Sequence, residues 1–165
     1  MVLVSILALL LLAESAASAT QSFQAPVVSI ADGDTFTVLF QRRQIRIRLH
    51  GIDCPEPGQP FHRRATQRAG ELIYGKTVTI EPRSRDRYGR LVASVLLPDG
   101  RSLNHILVAE GFAWHYRQYA PHDATLARLE QSARAARRGL WQDPAPVPPW
   151  QWRKARRSAR QWSLP

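Results

Sequence analysis

The sequence predicts an α+β domain, mainly β: a small closed barrel of five strands with about three helices packed on it. Five short runs rich in β-branched and aromatic residues fall between Val27 and Leu97. One amphipathic helical stretch interrupts them and two more follow. A chain of 165 residues has room for one ordinary domain, and closing its sheet removes exposed edges. An OB-type barrel fits best. A mixed α+β sandwich is the alternative that periodicity leaves open.

Val27 to Ile30 and Thr35 to Phe40 are the first two strands, separated by Ala31-Asp32-Gly33-Asp34, a turn composition. Gln44 to His50 alternates cleanly, with Ile45, Ile47 and Leu49 on one face and Arg46, Arg48 and His50 on the other. That is a half-buried strand with two arginines on its exposed face. Residues 51–58 hold two prolines and two glycines and are expected to be irregular. Phe61, Ala65, Ala69, Leu72 and Ile73 recur at helical spacing, so a helix runs from about Phe61 to Tyr74, where Gly75 ends it. Lys76 to Glu81 and Leu91 to Leu97 complete the strands, and Pro98-Asp99-Gly100 turns the chain. Leu103, Ile106, Leu107 and Glu110 mark a short helix stopped at Gly111. The last helix begins at an N-cap, Asp123, carries a Leu126, Leu129, Ala133, Ala136, Leu140 stripe, and ends at Gly139.

Both ends separate from this body. Val2 to Ala13 is apolar apart from Ser5, and Ala17-Ser18-Ala19 offers a small-residue cleavage site. Residues 1–19 therefore read as a signal peptide, too short to span a bilayer, and the chain is expected to be secreted or periplasmic. Residues 20–143 form the body. Residues 144–165 open with four prolines in six residues, a semi-rigid linker. A tail follows in which Arg153, Lys154, Arg156, Arg157 and Arg160 meet Trp150, Trp152 and Trp162 without an acidic residue. Such a tail either stacks on bases and pairs phosphates or is a solvated cationic appendage.

The composition narrows the function. The formal net charge is +10, from 23 Lys+Arg against 13 Asp+Glu, which points to polyanionic partners. One cysteine excludes a disulfide framework and a Cys-based zinc or iron–sulfur site. The five histidines show no HxH, HxxxH or His/Cys spacing, which argues against a zinc hydrolase. Forty-four per cent hydrophobic and 22% charged residues make a globular chain, neither disordered nor a membrane channel.

Three loops carry more than turning the chain requires. Asp32-Gly33-Asp34-Thr35 alone is a hairpin turn. Asp53-Cys54-Pro55-Glu56 places two carboxylates about a proline-fixed bend, and Asp86-Arg87-Tyr88-Gly89-Arg90 is a charged loop between strands. With Arg48, these supply three carboxylates (Asp34, Asp53, Glu56) and two arginines (Arg48, Arg90). Metal-assisted phosphodiester cleavage needs that set. Hard oxygens hold a divalent cation, a spare carboxylate activates water, and guanidinium forks oppose charge growing on a phosphate.

The order Asp-Gly-Asp-Thr, Arg-Leu-x-Gly-Ile-Asp-x-Pro-Glu, Asp-x-Tyr-Gly-Arg resembles the staphylococcal nuclease (thermonuclease) family from about Val27 to Trp141. The resemblance implies an OB-fold barrel of five strands with three helices, and a secreted, Ca2+-dependent nuclease acting on DNA and RNA. Carried over position by position, it implies calcium ligation by Asp34, Asp53 and the backbone carbonyl of Cys54. It implies catalysis by Arg48, Glu56 and Arg90, with Asp32 and Thr35 supporting the turn. Tyr88, and Tyr116 or Tyr119, would meet the substrate. A monomer is expected. The sequence departs from the family pattern at Cys54, where the archetype has Thr, and in a short Pro57-Gly58-Gln59-Pro60 segment where the archetype has a longer basic loop.

A barrel that binds nucleic acid without cutting it is the competing class. It has no use for three carboxylates beside a phosphate, which they repel unless a cation stands between. A cationic envelope-binding protein accounts for the tail and the charge alone.

Overall fold

The computed structural model describes residues 21–162; the expected signal peptide lies outside them. The barrel is formed by β1 (Phe23–Asp32), β2 (Thr35–Phe40), β3 (Arg43–Leu49), β5 (Thr77–Arg85) and β6 (Leu91–Leu96). It closes in the order β1-β2-β3-β6-β5, with β3 and β6 parallel and the other neighbours antiparallel. Inward residues alternate along each strand: Phe36 and Val38, Ile47 and Leu49, Val78 and Ile80, Ala93 and Val95 are all essentially inaccessible. Closed topology, mixed pairing and this interior are those of the OB-type barrel, not of a sandwich.

Two strands outrun their sequence signal. β1 begins at Phe23 and β5 continues across Pro82 to Arg85, because register shifts at Val27/Ser29, Ile30/Asp32 and Pro82/Ser84 break the strict alternation. A further pair was not legible. β4 (Ile52–Asp53) lies inside the stretch expected to be irregular and pairs with β7 (Trp114–His115), Ile52 opposite His115 and Asp53 opposite Trp114. Two residues are too few to show a period.

Among the described residues, four α-helices surround the barrel. α1 (His62–Ile73) buries Ala65, Ala69, Leu72 and Ile73 on the side predicted. α2 (Leu103–Ala109) is capped by the Ser102 hydroxyl. Its Asn104 is buried and receives the Val95 N–H at 3.1 Å while donating to the His50 carbonyl at 2.9 Å, which ties the ends of β3 and β6 together. α3 (Ala124–Ala135) is capped by Asp123, whose carboxylate accepts the Leu126 N–H at 2.8 Å.

α3 stops four residues before the predicted Gly139. Arg137 already turns to φ 48, and a 3-10 turn follows over Gly139–Gln142. Gly139 serves a close approach instead. A Cβ there would lie 2.2 Å from the Gly111 carbonyl oxygen, and one on Gly111 2.2 Å from that of Arg138. Both glycines have positive φ, which a side chain also disfavours. α4 (Pro149–Trp162) follows the proline segment, with Pro149 in the first turn where a missing N–H costs nothing. Among the described residues no helix is long and apolar enough to cross a membrane.

Candidate active site

The barrel register assembles the site. β2 and β3 pair with Thr35 opposite Arg48, so the arginine faces the Asp32–Thr35 turn. Arg48 was expected on an exposed face. Its side chain is instead only 13% accessible, because the carboxylates of two loops fold over it. Nη1 lies 2.9 Å from Asp34 Oδ2 and Nη2 lies 2.8 Å from Asp53 Oδ1. Asp34 Oδ2 also accepts the Cys54 N–H at 2.6 Å, and Asp34 Oδ1 accepts the Thr35 hydroxyl at 3.2 Å. One guanidinium thus gathers two buried carboxylates from different loops.

Burial leaves these acids under strain of charge. It pushes the Asp53 carboxyl up to about 6, assisted by the negative charge of Asp34 and opposed by Arg153 and Arg48. Burial and then Asp34 push Asp32 up to about 7. Desolvation and Asp34 outweigh Arg48 at Cys54 and raise its thiol well above the ordinary range. The thiol is therefore protonated and unfit as a nucleophile, packed where a Cβ on Gly33 would meet it at 2.8 Å. Around Arg48 burial works against the charge, but Asp34 and Asp53 more than compensate and raise its pKa.

Arg90 joins through the β5–β6 loop. Its Nε lies 2.7 Å from Asp86 Oδ2, and Asp86 Oδ1 accepts the backbone N–H groups of Tyr88 and Arg90 at 2.9 and 3.0 Å. Nη1 reaches Thr35 Oγ1 at 3.5 Å, the link between this loop and the carboxylate cluster. The Arg90 guanidinium stands 5.5 Å from the centroid of the Tyr88 ring. Glu56 sits at the other side, half-buried, its N–H donated to Gln59 Oε1 at 2.9 Å.

A cleft of about 1070 Å³ contains every candidate: Asp34, Arg48, Asp53, Cys54, Glu56 and Arg90, with Tyr88, Tyr116 and Tyr119 along its walls. Tyr88 and Tyr119 are 68% and 63% exposed, open to a large flat ligand. Tyr116 is half-covered, because the Trp150 ring stacks on it at 5.0 Å with 1° between planes.

That covering comes from α4, so the segment expected as a linker and free basic tail is instead a helix lying over the cleft. Arg153 Nη2 lies 2.8 Å from Asp53 Oδ2, while Nη1 donates to Asp53 Oδ1 at 3.2 Å and to Glu56 Oε1. Trp150, Arg153, Lys154 and Arg157 all line the cleft. Their i, i+3, i+4, i+7 spacing was a signal: one face of a helix holding an aromatic and three cations.

The donor set suits a hard divalent cation. Asp34 and Asp53 present carboxylate oxygens that already converge on one guanidinium, the arrangement a hard cation also needs. Among the described residues no group of three or more His, Cys, Asp and Glu forms a complete metal cage. One or two carboxylates completed by water and phosphate oxygens are a common environment of a divalent ion at a phosphate.

A family model described as staphylococcal nuclease homologue matches residues 46–143. The chain is 47% identical over 127 residues to an Escherichia coli protein named uncharacterized endonuclease, covering 77% of this chain and 82% of that one. It is 44% identical over 146 residues to a Shigella flexneri protein named micrococcal nuclease, covering 83% and 84%. An uncharacterized endonuclease of Haemophilus influenzae is 38% identical over 129 residues, covering 78% and 71%.

Proposed function

The chain belongs to the staphylococcal nuclease family and is a hydrolytic nuclease, and on that premise we propose that it is exported, requires calcium and cleaves both DNA and RNA. The family uses a divalent metal; calcium is the proposed ion because the resemblance of the three motifs implies it, and the hard oxygens offered suit it. Residues 1–19 would be the leader, residues 20–143 the nuclease body and residues 144–165 a basic appendage, with the mature chain monomeric in the periplasm or medium.

The observation that carries this reading is the meeting of Asp34 Oδ2 and Asp53 Oδ1 on the Arg48 guanidinium at 2.9 and 2.8 Å, inside a cleft rimmed by arginines. Asp34, Asp53 and the Cys54 carbonyl would hold calcium, which supplies positive charge that polarises the scissile phosphate. Glu56 would accept the proton of the attacking water at a carboxylate oxygen as the new P–O bond forms. Arg48, fixed by its strand, and Arg90, fixed by Asp86, would hold the non-bridging oxygens and oppose their growing charge. The ester oxygen leaves as the P–O bond breaks. Tyr88, and Tyr119 or Tyr116, would meet bases or sugars along the walls, Tyr116 only where Trp150 leaves it. Asp32 and Thr35 support the turn, Asp32 Oδ1 accepting the Asp34 N–H at 3.1 Å.

Calcium should sustain degradation of plasmid DNA and of RNA by residues 20–165, and a chelator should abolish both. Equal rates in calcium and chelator would overturn the metal assignment. Binding of both polymers without cleavage would instead mark a non-catalytic barrel.

A further inference from the structure

We propose that Arg153 is a tethered competitor of the metal: its guanidinium stands on the carboxylates that a divalent cation and the general base require, and metal binding must displace it. The proposal rests on the calcium reading above and concerns what sets that site's affinity.

Arg153 touches both oxygens of Asp53, at 3.2 and 2.8 Å, and Oε1 of Glu56. Asp53 Oδ1 also accepts from Arg48 at 2.8 Å. With both oxygens engaged by guanidinium groups, Asp53 has its strongest acceptor positions filled before a cation arrives. Glu56, bonded to the same guanidinium, has an oxygen engaged that a general base needs free for a water. A dication entering beside Arg48 and Arg153 would also meet two positive charges in a cleft where solvent screens poorly. The guanidinium and the metal therefore exclude one another on electrostatic grounds and compete for the same lone pairs.

The lever that places Arg153 is α4, and few contacts hold it there. Trp150 stacks on Tyr116 and meets Trp114 edge-on at 5.7 Å. Arg156 Nη1 donates to the Pro57 carbonyl at 3.0 Å, and Gln59 donates to the Val147 carbonyl just before the helix. The polar contacts are exposed or partly so, and such contacts are individually weak. The helix enters from a proline-rich segment whose own backbone adds no strand or helix to the barrel. Swinging it leaves the barrel interior untouched and gives up the packing of Trp150 on the Trp114 and Trp141 cluster, the main apolar contact to be lost. Arg153 shares its helix face with Lys154 and Arg157, which line the same cleft. Three cations on one helix face suit a phosphate chain, so a group that competes with the metal can also grip the substrate.

Titrating calcium alone into the full mature chain by calorimetry tests this, with no nucleic acid present. Arg153→Gln should bind calcium roughly ten- to a hundredfold more tightly than the parent, and Arg153→Lys, which keeps the charge but loses the fork, should fall between. Arg63→Gln, which removes one charge from the exposed face of α1, should change affinity less than about twofold. Linkage demands the reciprocal effect: calcium should speed amide hydrogen exchange across residues 150–158 of the parent. Equal affinity of parent and Arg153→Gln, weaker binding by the variant, or equal tightening by Arg63→Gln would each overturn the proposal while leaving the calcium site standing. Absence of calcium binding by a folded parent and by both variants at Arg153 would overturn the calcium reading and this proposal with it.

Discussion

Thr35 stands opposite Arg48 in the β2–β3 register, and its hydroxyl also receives Arg90 Nη1 at 3.5 Å. One small side chain thus spaces the two arginines assigned to the phosphate. It further donates to Asp34 Oδ1, so the same hydroxyl orients a proposed metal ligand. Strand pairing sets one arginine and a loop sets the other, which gives them different sensitivities.

Glu56→Gln should cut single-turnover cleavage by about two to four decades, the usual contribution of general-base assistance. The amide keeps the size, and the bond to Gln59 is made by the backbone N–H and is untouched, so affinity for a labelled oligonucleotide in calcium should change little. Parallel loss of affinity and rate would make Glu56 a structural residue.

Arg90→Ala should lose rate far more than affinity, on the order of two decades, because its charge matters most as negative charge accumulates in the transition state. Asp86→Asn should give a milder version of the same defect by freeing the guanidinium from its anchor. Ground-state binding measured beside the rate separates this from a simple clamp, for which the two would fall together.

Arg48→Ala should destabilise the metal-free protein by about 3–5 kcal/mol, since it leaves Asp34 and Asp53 buried without that partner. Calcium should restore part of the lost stability. Melting in chelator and then in calcium is the check; an unchanged melting temperature in chelator would contradict the pairing.

In chelator, Asp32 should make the protein less stable as pH rises from about 4 to 7. Its folded carboxyl titrates at about 7 against an ordinary 3.8, so the folded chain holds a proton that the unfolded chain has released. Folding is then favoured at the acid end of the window, and the advantage fades as pH climbs through the folded value. Asp53, at about 6, acts in the same direction, whereas the lowered His50 pKa opposes it over the upper part. The measurement is therefore a difference. Asp32→Asn should gain on the parent by on the order of 1 kcal/mol or more between pH 5 and pH 7. A gap that shrinks with pH would show that burial does not govern this carboxyl.

The barrel was legible because its strands obey the simplest rule, alternation, and its helices bury stripes of ordinary spacing. Asp123 could be read as a cap because a short acid before an apolar stripe has little else to do there. β4 and β7 were not legible, being two residues each and stabilised across a long sequence separation. Gly139 misled, since a glycine required by a neighbouring backbone looks like a glycine that ends a helix. At the site, the motifs brought Asp34, Arg48 and Asp53 together, and Arg90 with Tyr88. They could not show that Arg48 is covered, nor that Arg153 lies on Glu56, because that contact joins an amphipathic face to a loop almost a hundred residues away. Only its four-residue pattern was present in the chain, without an address.

The parallel pairing of β3 with β6 has a kinetic consequence. Hairpins β1–β2, β2–β3 and β5–β6 join strands near one another in the chain, whereas Ile47 with Leu91 and Arg48 with Val92, like Ala25 with Val78 between β1 and β5, must find each other across long stretches of chain. Such closure pays its loop entropy before any contact rewards it, and comes late. The first hairpins can set Arg48 near Asp34, but Arg90 arrives only when the seam shuts. A half-folded chain is thus catalytically silent, and recovery of cleavage during refolding should track the slowest step of barrel formation, not the first appearance of strands.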